Sequence, residues 1–169
     1  IIGRLVPIKN HKFFIDVFDY CKTRTTIPIK AFIIGDGPEI NNLINHTEAI
    51  GLKYNYKEFK NDYDIFYCSW RKDIDFFLAA SDIVALTSIN EGTPVSIIES
   101  MASEKASIST DVGGVSDIIE NYKSGIVSKN TVVDFGNDLL KLIADKDLRN
   151  KLGSKGKKRS FKLFNYNIL

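Results

Sequence analysis

Short apolar runs alternate along this chain with longer stretches of helical spacing, and that alternation limits its folds more than any other feature. The runs are 1–6 (IIGRLV), 29–34 (IKAFII), 64–69 (DIFYCS), 82–87 (DIVALT), 106–110 (ASIST) and 125–128 (GIVS). Helical patterns lie near 10–22, 38–50, 72–80, 94–103, 115–121 and 131–145, with a last one near 147–163. Strands separated by helices pair in parallel through crossovers, so the pattern predicts an α/β fold: a parallel sheet with helices on both faces. The near-continuous apolar character of the runs fits strands buried on both sides. Gly35, Gly37 and Pro38 stop the second run, and Gly113 and Gly114 follow the fifth. The segment 53–63 (KYNYKEFKNDY) has no clear period and reads as a long connection or an insertion.

A chain of 169 residues suits one well-buried domain. Its net charge of +2 singles out no charged partner, and nucleic acid is not expected. No run approaches the roughly 18 apolar residues needed to cross a bilayer. IIGRLVPIKN lacks the basic-then-apolar order of a signal peptide, and the expected location is cytoplasmic. Cys21 and Cys68 show no metal-ligand spacing and read as small buried hydrophobes in a reducing compartment; no metal is expected. The absence of an initiating Met and the immediate apolar start suggest a piece of a longer protein, cut at or inside its first strand.

In open parallel sheets, ligands sit beyond the carboxyl ends of the strands, which directs attention to the residues after each run. In NEGTPVSIIES (90–100), Pro94 suits the first position of a helix and Gly92 removes a side chain at the turn. Such a helix start can hold an anion; equally, Gly and Pro can serve only as punctuation. At about 100° per residue, Val95, Ile98, Met101 and Ala102 form an apolar arc, with Ile97 at its edge and Ser96, Ser100 and Ser103 opposite. Glu99 falls on the margin of that arc, where a carboxylate needs a partner. The hydroxyls of a sugar would serve, although spacing alone favours a margin Glu that reaches water or a Lys. Arg4 and Lys9 flank the turn after the first run and could clamp a diphosphate, or could be two surface cations.

The GDGP stretch (35–38) is not a dinucleotide fingerprint, because Ile40 stands where the third Gly belongs, and a tight turn is the preferred reading. His11 and His46 have no nucleophile pattern near them and read as surface residues. The basic tail from Lys146 to Lys162 has apolar spacing at Leu148, Leu152 and Phe161. It reads as an amphipathic helix with a solvated face, with peripheral membrane contact as the alternative.

GRLVPIKN (3–10), IIGDGPEINNLI (33–44), AASDIVALTS (79–88), EGTPVSIIESMAS (91–103) and TDVGGVSDII (110–119) occur in that order. Together they resemble the C-terminal, donor-binding domain of glycosyltransferase family 4 enzymes, which have the GT-B architecture. The resemblance covers essentially the whole chain. Its most specific part is the pair of glutamates eight positions apart, Glu91 and Glu99. It implies that residues 1–169 form a Rossmann-like nucleotide-sugar-binding domain whose N-terminal, acceptor-binding partner domain lies outside this sequence.

By the same resemblance, Arg4 and Lys9 bind the donor diphosphate and stabilise the departing nucleotide, and Glu91 faces the donor sugar. Gly3 lets the first loop approach the phosphates. Gly92, Thr93 and Pro94 form a turn whose amides reach sugar and phosphate, and Glu99 accepts from the ribose hydroxyls. Trp70 and Arg71 lie where the base-contacting loop runs. The sequence departs from the family at Ser103-Glu104-Lys105-Ala106, where a Gly and a Pro are usual, and in the longer 53–63 connection.

The implied reaction is transfer of a hexosyl group from a UDP- or GDP-sugar to a glycan or lipid acceptor, with retention of configuration and without cofactor or metal. Charge builds on the diphosphate as the glycosidic bond breaks, where Arg4 and Lys9 would act. Glu91 and Glu99 would be binding residues, since the helical rise aims them poorly at opposite sides of one bond. The isolated 169 residues are expected to be inactive, and the full-length protein to work in the cytoplasm, with peripheral attachment at the inner membrane face as an option. The competing reading is a non-catalytic nucleotide-sugar-binding module of the same fold.

Overall fold

A computed structural model of the chain describes residues 1–56 and 62–164. After a 3-10 turn at Pro7–Lys9 come α1 (His11–Lys22), β1 (Ala31–Ile33), α2 (Ile40–Ala49), β2 (Tyr54–Tyr56) and β3 (Ile65–Tyr67). Next are α3 (Ile74–Ala80), β4 (Ile83–Leu86), α4 (Val95–Ala102), β5 (Ala106–Thr110) and α5 (Val115–Ile118). The chain closes with β6 (Ile126–Ser128), α6 (Val132–Ala144) and α7 (Lys146–Phe164).

All strand pairings among these elements are parallel, in the orders β1-β3-β2 and β4-β5-β6. The run at 1–6 is not a full strand. It makes one parallel bridge, Ile2 to Ile34, and then turns back at Arg4, whose carbonyl accepts from Val6 N. The expected connection at 53–63 contains an unforeseen edge strand, β2, which pairs along β3. Its Tyr-Asn-Tyr sequence carries no apolar alternation because Asn55, not a hydrophobe, is the buried residue. Residues 57–61 of that segment lie outside the described residues.

One apolar cluster joins the two sets of strands: Ile1, Leu5, Ile33 and Ile65 pack with Ala85, Ile108, Ile126 and Phe135. A second lies on the other face of β4 and β5, where Leu86 meets Ile97 and Met101 of α4 and Val115 and Ile118 of α5. Strand β5 alternates accordingly. Ala106 and Ile108 enter the first cluster, whereas Ser107 Oγ lies 2.9 Å from Ser100 Oγ of α4.

That serine pair corrects the expected orientation of α4. The buried face carries Ile97, Ser100 and Met101, each 0% exposed, while Val95 is 58% exposed. The arc centred on Ile98 was plausible from hydropathy alone, but a serine can enter the core when another buried serine bonds it. The consequence is that Glu99 is exposed, on a surface it shares with Val95. Truncating Ile97 to Ala should therefore cost about 2–5 kcal/mol in chemical denaturation, and Val95→Ala less than about 0.5 kcal/mol.

Candidate functional site

The loops after β1, β3, β4 and β5 converge at the carboxyl ends of the strands, around the segment Gly3–Asn10. Backbone contacts too close for side chains hold them there. A Cβ on Gly35 would lie 1.9 Å from the Gly3 carbonyl oxygen, and one on Gly37 would lie 2.4 Å from that of Leu5. Gly113 has φ +48°, and a Cβ there would stand 1.8 Å from the carbonyl oxygen of Glu91. The Gly114 N–H donates to that same oxygen at 3.1 Å. GDGP is thus a structural turn, as its sequence suggested, and TDVGG clamps the turn that carries Glu91.

Two clusters follow. In the first, Lys9 Nζ donates to Glu91 Oε1 at 2.5 Å, and Ser88 Oγ donates to the same oxygen at 2.5 Å. Glu91 is 9% exposed and Ser88 is fully buried. Thr87 Oγ1 bonds the carbonyls of Lys9 and Asn10, and Ile89 N donates to Ile8 O at 2.8 Å, so the 3-10 turn is stitched to the end of β4. Asn10, between the 3-10 turn and α1, adopts a left-handed conformation, φ 50°. Gly92 and Thr93 are exposed on the turn, and Pro94, buried, accepts from Ile97 N and Ile98 N at the start of α4.

In the second cluster, Gly3, Arg4, Asp36, Trp70 and Arg71 line a cleft of about 230 Å³. Arg4 is exposed and has no ion-pair partner among the described residues. Trp70 is 64% exposed, presented by Ser69 in a left-handed conformation. Arg71 is already engaged, its fork donating to Asp73 Oδ1 at 2.8 Å and Oδ2 at 2.6 Å. That fork holds the Asp73 carboxyl below the ordinary carboxylate range. The Glu99 carboxylate makes no hydrogen bond among the described residues. The structure therefore unites Lys9 with Glu91, and Arg4 with Gly3, Trp70 and Arg71, and leaves Glu99 facing outward from α4.

Sequence reasoning missed Ser88, because a serine at the end of an apolar run carries no signal of its own. It also placed both histidines wrongly. His46 is partly buried, with Nε2 2.5 Å from Asp16 Oδ1, and ties α2 to α1. His11 is 2% exposed, and neither ring nitrogen has a hydrogen-bond partner among the described residues. Burial, then the positive charges nearby, Lys9 among them, pull its pKa down to about 4. Cys21 and Cys68 are buried, as expected, which pushes their thiols up to about 12 and about 11. Among the described residues no three His, Cys, Asp or Glu side chains gather as a metal site would require.

The fold is thus a parallel α/β domain with a cation, a paired carboxylate and a glycine-packed turn at the strand ends. The family model for glycosyl transferases group 1 matches residues 1–159, and the chain belongs to that family. It is 32% identical over 150 residues to the Escherichia coli UDP-Gal:alpha-D-GlcNAc-diphosphoundecaprenol alpha-1,3-galactosyltransferase, covering 87% of this chain and 36% of that protein. It is 28% identical over 170 residues to an uncharacterized glycosyltransferase of Methanocaldococcus jannaschii, covering 95% of this chain and 42% of the relative. The chain thus spans well under half the length of these relatives.

Among solved structures, TarM of Staphylococcus aureus, in a complex with UDP, superimposes with a TM-score of 0.87 at 23% identity over 99% of this chain and 32% of that one. Anabaena Alr3699/HepE in complex with UDP gives 0.82 at 22% identity, covering 95% and 43%. These likenesses show that the chain has the fold of one Rossmann-like domain of these GT-B glycosyltransferases.

The titration of His11 gives a measurable consequence. Its folded pKa lies below the ordinary 6.5, so the unfolded chain binds the proton more readily and stability falls as pH drops from about 6.5 towards about 4. Denaturation curves should show a loss of up to about 3 kcal/mol attributable to this residue across that window. His11→Phe should flatten that part of the profile.

Proposed function

We propose that this chain is the donor-binding half of a retaining glycosyltransferase that takes its sugar from a UDP-sugar or GDP-sugar and works with an N-terminal acceptor-binding domain. The observation that carries this reading is the partly buried Lys9–Glu91 contact, on the same set of strand-end loops as exposed Arg4. A cation next to a carboxylate matches a ligand that presents both phosphate oxygens and hydroxyl groups. Arg4 and Lys9 would meet the diphosphate, where negative charge grows as the glycosidic bond breaks. Glu91 would accept from the sugar hydroxyls, with the turn of Gly92, Thr93 and Pro94 beside it offering the Gly92 and Thr93 amides, and Glu99 would accept from the ribose.

Gly3 gives the phosphates backbone access, and Trp70 offers a ring face to the base. Arg71 reaches a base only with the edge left free by Asp73. No cofactor or metal is required by this scheme. The UDP in two structural neighbours and the UDP-galactose in the name of the E. coli relative favour UDP as the first nucleotide to try. That relative's name also points to a lipid-linked glycan as acceptor.

One surface favours work beside a membrane. The outer side of α7 carries Lys151, Lys155, Lys158 and Lys162 in helical register, next to exposed Phe161, Leu163 and Phe164. A basic stripe ending in apolar side chains fits peripheral contact with anionic lipid. None of the described helices is long and apolar enough to cross a membrane. The protein should sediment with vesicles containing phosphatidylglycerol and not with pure phosphatidylcholine, and replacing the four lysines by Gln should abolish the difference.

The decisive experiment is turnover of UDP-galactose, UDP-glucose and UDP-N-acetylglucosamine by the protein carrying both domains, with and without EDTA, the product anomer read by NMR. Transfer with an α product from an α donor, undiminished by EDTA, is expected. Glu99→Ala should weaken UDP binding by about 1–3 kcal/mol in titration calorimetry, the value of a hydrogen bond to a charged group. Nucleotide-sugar binding without any turnover by the two-domain protein would favour the non-catalytic module instead.

A further inference from the structure

We infer that Ser88 is the positioning residue for Glu91, and that it fixes which carboxylate oxygen is offered to the ligand. The inference rests on the proposed transferase reading for its functional consequence, and on geometry alone for the positioning. Ser88 is fully buried at the end of β4, and its hydroxyl donates to Glu91 Oε1 at 2.5 Å. Lys9 Nζ donates to the same oxygen. Oε2 is left without a hydrogen bond among the described residues, so the carboxylate is asymmetric before any ligand arrives.

The two donors are not equivalent. Lys9 is a point charge on a four-carbon stem, and its ammonium can follow the carboxylate through many orientations. Ser88 has one side-chain torsion and a backbone that is itself anchored: Thr110 Oγ1 of β5 donates to the Ser88 carbonyl at 2.8 Å. From the other side, Gly114 N bonds the Glu91 carbonyl. Backbone and side chain of Glu91 are thus both referenced to the sheet, and the hydroxyl sets the plane of the carboxylate that the ammonium only attracts. A group held this way loses little freedom on binding, which is how supporting contacts sharpen a site.

The test uses Ser88→Ala, which removes one buried oxygen without adding bulk, alone and combined with Glu91→Gln, in the two-domain protein. A crystal structure of Ser88→Ala should show the Glu91 carboxylate rotated or in several orientations. With the UDP-sugar that the wild type turns over, kcat/KM should fall about tenfold to a hundredfold while the Kd for UDP, which lacks the transferred hexosyl group, stays within twofold. In the double variant the loss should equal that of Glu91→Gln alone, because Ser88 acts through Glu91. Thr110→Val, which removes only the backbone anchor, should lower stability more than it lowers kcat/KM.

An unmoved carboxylate in Ser88→Ala overturns the positioning, whatever the kinetics. Losses from Ser88→Ala and Glu91→Gln that multiply also overturn it. A wild type that turns over no nucleotide sugar overturns the transferase reading instead, and the crystal structure then decides the role of Ser88 by itself.

Discussion

The contact on which the rest of the site depends joins Lys9 to Glu91 across 82 positions of sequence. It requires that the turn after the first extended segment and the turn after β4 reach the same point. The first is a single 3-10 turn and the second is irregular, so neither is held by an extended ladder of hydrogen bonds. The glycines beside them supply the constraint. Without a Cβ at Gly35, Gly37, Gly113 or Gly114, these loops pack backbone against backbone. Thr87 and Thr110 complete the scaffold by bonding loop carbonyls from inside the sheet.

This arrangement explains why the region around Glu91 contains so many buried polar groups. Thr87, Ser88 and Thr110 are all fully buried, and each donates a hydrogen bond. Buried hydroxyls that are satisfied act as rigid spacers, whereas an unsatisfied one would cost about 1–3 kcal/mol. His11 is the exception in the neighbourhood. Its two ring nitrogens lie buried and have no partner among the described residues, and it stays neutral above about pH 4. A neutral ring there adds no further positive charge beside Lys9.

Most of the fold was legible in the sequence because burial on both faces forces strands to be apolar throughout and helices to separate them. Strand β5 and helix α1 fell within a residue of the expected bounds for that reason. Strand β2 was not legible, since an edge strand with a buried Asn55 departs from the apolar pattern. The face of α4 was misread because Ser100 enters the core on a hydrogen bond from or to Ser107, a partner supplied by another element. Of the candidate site, Arg4, Lys9, Glu91 and Glu99 were nominated from residue type and position after a strand together with the family resemblance. Ser88 was not, because nothing local distinguishes a serine that holds a carboxylate from one that ends a strand.

The sequence by itself determined the class of fold and the order of most of its elements. These follow from hydrophobic period and turn chemistry, both of which act locally. Only the tertiary structure decided that Lys9 lies on Glu91, that Ser88 shares its oxygen, that Arg71 is engaged by Asp73 and that Glu99 faces outward. Each of those depends on which loops the glycines allow to touch, and contact between distant segments is set by packing rather than by any one stretch of chain.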